Sequence, residues 1–154
     1  MRIRDVRPED LEFWREMSLE AMSWRGAGDP ADIPAMAVYL RPWGRSGDTG
    51  LIAEAENRLG AAWYRFYTAF EPGYGFVSEE VPEIGIAVGK AHRGCGVGRK
   101  LMDELIARGR STGLRGLSLS VEDGNEAAAR LYAATGFARV HRNGNAWTMV
   151  LWLR

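Results

Sequence analysis

Four glycines, Gly89, Gly94, Gly96 and Gly98, fall within ten residues and separate two different hydrophobic periods. Before them, residues 84–88 form a short apolar run that predicts a central strand. After them, Leu101, Met102, Leu105 and Ile106 fall on one face of a helix, and residues 117–121 read as a further strand. Strand, glycine loop, helix and strand in that order imply a parallel pair joined by a right-handed crossover. This commits the chain to a fold of mixed helix and sheet.

The flanking segments extend that unit. Ile3, Asp5 and Arg7 alternate with Arg4 and Val6 as in a strand, and Pro8-Glu9-Asp10 opens a helical pattern that runs to about Trp24. Proline suits a first helical turn because its missing N–H would be unpaired there anyway, and acids favour the positive end of the helix dipole. Residues 26–30 break the helix, a second helix is expected over 31–40, and turn formers fill 41–48. Residues 51–55 and 59–68 read as a hairpin turning near Glu56-Asn57, followed by a loop at 70–82. Beyond the parallel unit a helix is predicted over 125–135, with Asn125 as N-cap and Gly136 as the left-handed residue after its end. Residues 137–142 and 146–153 flank Asn143-Gly144-Asn145, a strong hairpin signal.

Composition narrows the function classes. A chain of 154 residues, 46% of them hydrophobic, can bury about 70% of its unfolded surface in one core, so a single domain over 1–154 is expected. The lone Cys95 cannot form an intramolecular disulfide, and no Cys/His pair has zinc-ligand spacing, so no metal is expected. The 20 basic and 20 acidic residues are interleaved, which argues against nucleic acid as a partner. No run approaches the roughly 20 apolar residues of a membrane span, and residues 1–5 hold no apolar signal core, so a cytoplasmic location is expected.

The segment from Val88 through Arg93-Gly94-Cys95-Gly96-Val97-Gly98-Arg99 to Lys100 is suited to an anion. Glycines admit a phosphate close to the backbone, free N–H groups of the helix's first turn face it, and Arg93, Arg99 and Lys100 add charge. A P-loop would require Ser or Thr after Lys100, and a dinucleotide fingerprint would require glycine where Arg99 stands. Neither fits, and on the loop alone a plain glycine-rich turn remains open.

Two segments together carry a resemblance. Arg93-Gly94-Cys95-Gly96-Val97-Gly98 is similar to the Arg/Gln-x-x-Gly-x-Gly/Ala signature of the GNAT (GCN5-related N-acetyltransferase) superfamily. Asn125, Ala128, Leu131-Tyr132 and Gly136-Phe137 resemble that superfamily's next segment at the expected distance. The resemblance implies a mixed, mostly antiparallel sheet of about six or seven strands with helices on both faces, in the order β-α-α-β-β-β-α-β-α-β-β. It implies acetyl-CoA as cofactor, bound through its pyrophosphate at residues 93–99, and acetyl transfer to a primary amine by direct attack.

Each demand of such a reaction meets a candidate. An alkylamine is protonated near neutral pH and must lose a proton before it attacks. Glu83 is the first candidate base, through water, with Glu79 and Glu80 as substitutes; a solvent-facing strand end is the bland reading of Glu83. By the resemblance, a backbone N–H of Ile86, Ala87 or Val88 stabilises the oxyanion, and the pantetheine arm lies where Val88 and residues 117–121 diverge. Tyr132 stands where the superfamily's general acid protonates the leaving thiolate, and Asn125 contacts cofactor, caps the helix, or both. Cys95 is read as a loop cysteine and His92 as an exposed turn residue.

The acceptor is a small-molecule or peptide amine that composition does not identify. Trp24, Trp43, Trp63, Arg65 and Tyr74 are candidates for lining its pocket, against the alternative that each aromatic is core. Trp63 and Arg65 share one strand face by alternation. A cofactor-binding domain without catalysis and use of a longer acyl donor are the competing readings, and a homodimer is compatible with the resemblance.

Overall fold

The computed structural model describes residues 1–23 and 34–154. One seven-stranded sheet runs through it, built from β1 (Arg2–Asp5), β2 (Thr49–Glu54), β3 (Arg58–Arg65), β4 (Glu83–Val88), β5 (Gly116–Glu122), β6 (Ala138–Asn143) and β7 (Ala146–Trp152), in the spatial order β1-β2-β3-β4-β5-β7-β6. Every neighbouring pair is antiparallel except β4 and β5. The helices are α1 (Leu11–Met22), α2 (Val97–Ser111) and α3 (Glu126–Ala134). This is the expected mixed, mostly antiparallel sheet.

Period-two alternation sorts side chains to the two faces. Leu51 and Ala53, Ala62 and Tyr64, and Leu117, Leu119 and Val121 join Leu101, Met102, Leu105 and Ile106 of α2 in the larger core. Ile52, Ala61, Trp63 and Ala87 turn to the opposite face and meet Trp14 and Met17 of α1. The apolar stripe read on α2 is therefore its buried face. Among the described residues no helix is long and apolar enough to cross a membrane.

Four local expectations change. The first helical turn, Pro8–Asp10, is a 3₁₀ turn, and the α-helix begins at Leu11. The segment expected as a second helix over 31–40 is a 3₁₀ helix over Pro34–Leu40, and Trp24, the break at 26–30 and residues 31–33 lie outside the described residues. The third strand ends at Arg65 rather than 68. Asn125 occupies the N-cap position of α3 but makes no side-chain capping hydrogen bond.

Arg65 shows why β3 stops there. Its guanidinium is 1% exposed, pairs with Asp48 through two bonds of 3.0 Å, and donates to the carbonyls of Tyr39, Arg41 and Pro42. It also lies 5.2 and 5.3 Å from the ring centroids of Trp14 and Trp43. All five guanidinium donors have acceptors, which is the condition under which a buried charge is tolerated. The pair fastens the loop before β2 to the 3₁₀ segment and to α1.

Candidate active site

The parallel pair at the centre of the sheet barely forms. Its register is Glu83 opposite Ser118, with the Ser118 N–H donating to the Pro82 carbonyl at 3.0 Å, and beyond that point the strands part. Successive peptide groups of a strand point to opposite edges. With Pro82 turned toward β5 and the Gly89 N–H bonded to Leu59 on the β3 side, the peptide groups of Ile86 and Val88 face the gap and that of Ala87 faces β3. The gap opens into a cleft of about 360 Å³ that reaches from Glu83 to the glycine loop.

The floor and the far wall follow from the loop and α3. Gly94 and Gly96 have φ of +78° and +83°, the left-handed region, and a Cβ at either would meet nothing within 4 Å. That loop conformation, not crowding, is what requires glycine there. Gly98 differs: it sits in the first turn of α2, where an added Cβ would stand 3.5 Å from Leu131 and 3.7 Å from Val88. Arg93, Gly94, Gly96, Val97 and Gly98 all line the cleft, as does half-buried His92. Cys95 is exposed and Arg99 pairs with Asp103 on the helix exterior, 3.1 Å away. Arg93 donates to the Val88 carbonyl at 3.2 Å and pairs with Glu20 of α1 at 2.6 Å across the cleft mouth. Tyr132 is 8% exposed, its ring 6.1 Å from that of Phe137, and it lines the same cleft with Asn125. Asn125 thus lines the cleft with a side chain that makes no capping hydrogen bond.

Glu83 does not face solvent. It is 5% exposed, one carboxylate oxygen accepts from the Tyr39 hydroxyl at 2.6 Å, and the other accepts from the Gly75 N–H at 3.2 Å. Its loop neighbours are engaged elsewhere: Glu79 accepts from the Ala69 N–H at 3.0 Å, and Glu80 pairs with Arg115 at 2.9 Å on the surface. Nearby Tyr67 is buried, and burial first, then the charge of Glu83, pushes its phenol above the ordinary range.

The acceptor candidates separate. Trp63 lines the cleft, packed over Gly85, where a Cβ would lie 2.5 Å from the indole. Trp43 packs against Trp14 with the rings tilted by 55°, and Arg65 is held inside the fold with Asp48; neither lines the cleft. Tyr74 stacks on Tyr39 with ring centroids 6.4 Å apart. Trp24 lies outside the described residues. Tyr39 and Glu122, which carry no sequence signal, also line the site, and Ser120 lines it within the strand segment expected at the gap. The Ser120 hydroxyl is buried with no hydrogen-bond partner among the described residues. Tyr39 meets Glu83 across 44 positions of chain, which no local pattern records.

Comparison with known proteins gives the family and the fold. The profile of the acetyltransferase (GNAT) family matches residues 11–137. A mycothiol acetyltransferase from Thermobispora bispora is 33% identical over 149 residues, which cover 90% of this chain and 47% of that protein. The chain spans between 31% and 52% of the length of the curated relatives it matches. Among solved structures, YncA from Salmonella typhimurium with its cofactor acetyl-CoA is 26% identical at a TM-score of 0.73, covering 100% of this chain and 94% of that one. A phosphinothricin acetyltransferase from Sinorhizobium meliloti in complex with acetyl-CoA shares the fold at a TM-score of 0.73 and 20% identity, covering 99% and 88%. The chain belongs to the acetyltransferase (GNAT) family.

Proposed function

We propose that this protein is an N-acetyltransferase that moves an acetyl group from acetyl-CoA to the primary amine of a small molecule or peptide, by direct attack with both bound. The observation that carries the reading is the parting of β4 from β5 between a glycine anion loop on one side and a buried carboxylate on the other. When bound, acetyl-CoA supplies the activated thioester. The chain supplies the rest.

Residues 93–98 hold the pyrophosphate, through N–H groups at the start of α2 and the Arg93 guanidinium. Peptide N–H groups of Ile86 and Val88, facing the gap, pair with the pantetheine arm and stabilise the developing oxyanion. Glu83 takes the amine proton through water, and the Tyr132 hydroxyl gives one to the departing thiolate. Trp63, Tyr39 and the Ser120 hydroxyl border the acceptor. Relatives named for mycothiol and phosphinothricin make small amines the first acceptors to try.

Two results are expected. Glu83→Gln should lower kcat about a hundredfold while leaving acetyl-CoA affinity unchanged, because a base acts on the amine and not on the cofactor. This is read as thiol release against phosphinothricin, spermidine and a peptide with N-terminal alanine; wild-type rates in the variant on every amine that turns over would remove Glu83 from the chemistry. Glu20→Gln should tighten acetyl-CoA binding by about threefold, since Arg93 no longer has to leave an exposed ion pair to meet phosphate. Calorimetry that finds equal or weaker binding would show that Arg93 does not exchange Glu20 for the cofactor.

A further inference from the structure

Tyr39 lies on a 3₁₀ segment far from the glycine loop, yet its hydroxyl occupies the one place where the 3₁₀ segment, the loop after β3 and the base of the cleft meet. The Tyr74 N–H donates to that oxygen at 2.5 Å. An oxygen already receiving a hydrogen turns its own elsewhere, and here Glu83 Oε2 accepts it at 2.6 Å. Glu83 Oε1 receives the Gly75 N–H at 3.2 Å. The carboxylate is thus held from both sides by donors, a condition that favours its charged form. Gly73 belongs to the same clamp, because a Cβ there would stand 2.2 Å from Oε1 and 2.7 Å from the Tyr39 hydroxyl.

We infer that Tyr39 is a positioning residue for the base, fixing the Glu83 carboxylate toward the cleft and setting the pH above which it can accept the amine proton. The inference rests on the reading of Glu83 as base. Among the described residues, the other charged groups around Glu83 are engaged with one another. Arg65, its register partner on β3, holds Asp48; Tyr67 stays a neutral phenol; Arg41 pairs with Glu71; Glu20, across the cleft, pairs with Arg93. From β5 the residue opposite is Ser118, which does not titrate.

The test is a ¹³C titration of the glutamate carboxyl resonances in the full chain, with the Glu83 signal identified by its loss in Glu83→Gln. Tyr39→Phe keeps the ring contacts with Tyr67 and Tyr74, at 5.5 and 6.4 Å between centroids, and removes only the hydroxyl. The Glu83 midpoint should rise by about one pH unit. Gly73→Ala, which displaces the carboxylate from the opposite side, should move it in the same direction. In thiol release, the rate lost in Tyr39→Phe should return as the pH is raised, which a loss of packing would not do. An unchanged or lowered midpoint in Tyr39→Phe, or a loss of rate equal at all pH values, overturns the inference. Full activity in Glu83→Gln would instead overturn the base assignment, and the Tyr39 midpoint shift would still be read separately.

Discussion

Phenylalanine in place of Tyr132 is expected to lower kcat about a hundredfold while acetyl-CoA binds within about twofold of wild type. The ring is buried in the larger core beside Phe137, and the substitution leaves that packing in place. What it removes is a hydroxyl in the cleft, on the helix across the gap from Ile86 and Val88. Protonation of a leaving thiolate belongs to the transition state, so the loss should fall on turnover rather than on ground-state binding. Steady-state thiol release and calorimetry on the same preparation separate the two quantities. An equal fall in both would make Tyr132 a packing residue, and no fall would leave thiolate departure to solvent.

Leucine at position 98 should remove acetyl-CoA binding, by more than about a hundredfold, with no loss of thermal stability. Gly98 has helical backbone in the first turn of α2, where leucine is favoured over glycine by about 0.8 kcal/mol. Its first carbon would make ordinary contacts with Leu131 and Val88, so alanine should be tolerated. The further carbons extend among residues that line the cleft proposed to hold the cofactor. Position 96 is a poorer test, because at φ +83° any L side chain costs about 1 kcal/mol or more before ligand is considered. Wild-type affinity in Gly98→Leu, measured by calorimetry, would refute the assignment of this turn to the cofactor.

The parts of the fold legible in the sequence are those written in local periods. A short apolar run identified the strand before the glycine loop, and the spacing of Leu101, Met102, Leu105 and Ile106 identified the buried face of α2, because a helical period maps one segment onto one face. Glycine punctuation placed the anion loop and the left-handed end of α3 at Gly136, where φ is +103°. The segment at 34–40 was less legible: helix and 3₁₀ periods differ little over seven residues, and its place is set by long-range bonds from Tyr39 and to Arg65. Arg65 itself looked like a cation beside an aromatic, and only the tertiary fold supplies Asp48 and three carbonyls that take up its donors. At the site, Arg93, Gly94, Gly96, Val97, Gly98, Asn125 and Tyr132 of the two motif segments line the cleft, whereas Cys95 and Arg99 do not. Tyr39 and Glu122 carry no sequence signal, since each gains its position from strands and loops brought together by the sheet.

The measurement closest to the chemistry is acetyl-CoA-dependent thiol release by the wild-type chain against the amine panel, with the product identified by mass. Saturable release with one class of primary amine, and a product heavier by a single acetyl group on nitrogen, is the expected result. Binding of acetyl-CoA without release for any amine, or acetyl transfer to oxygen alone, would contradict the assignment as an N-acetyltransferase.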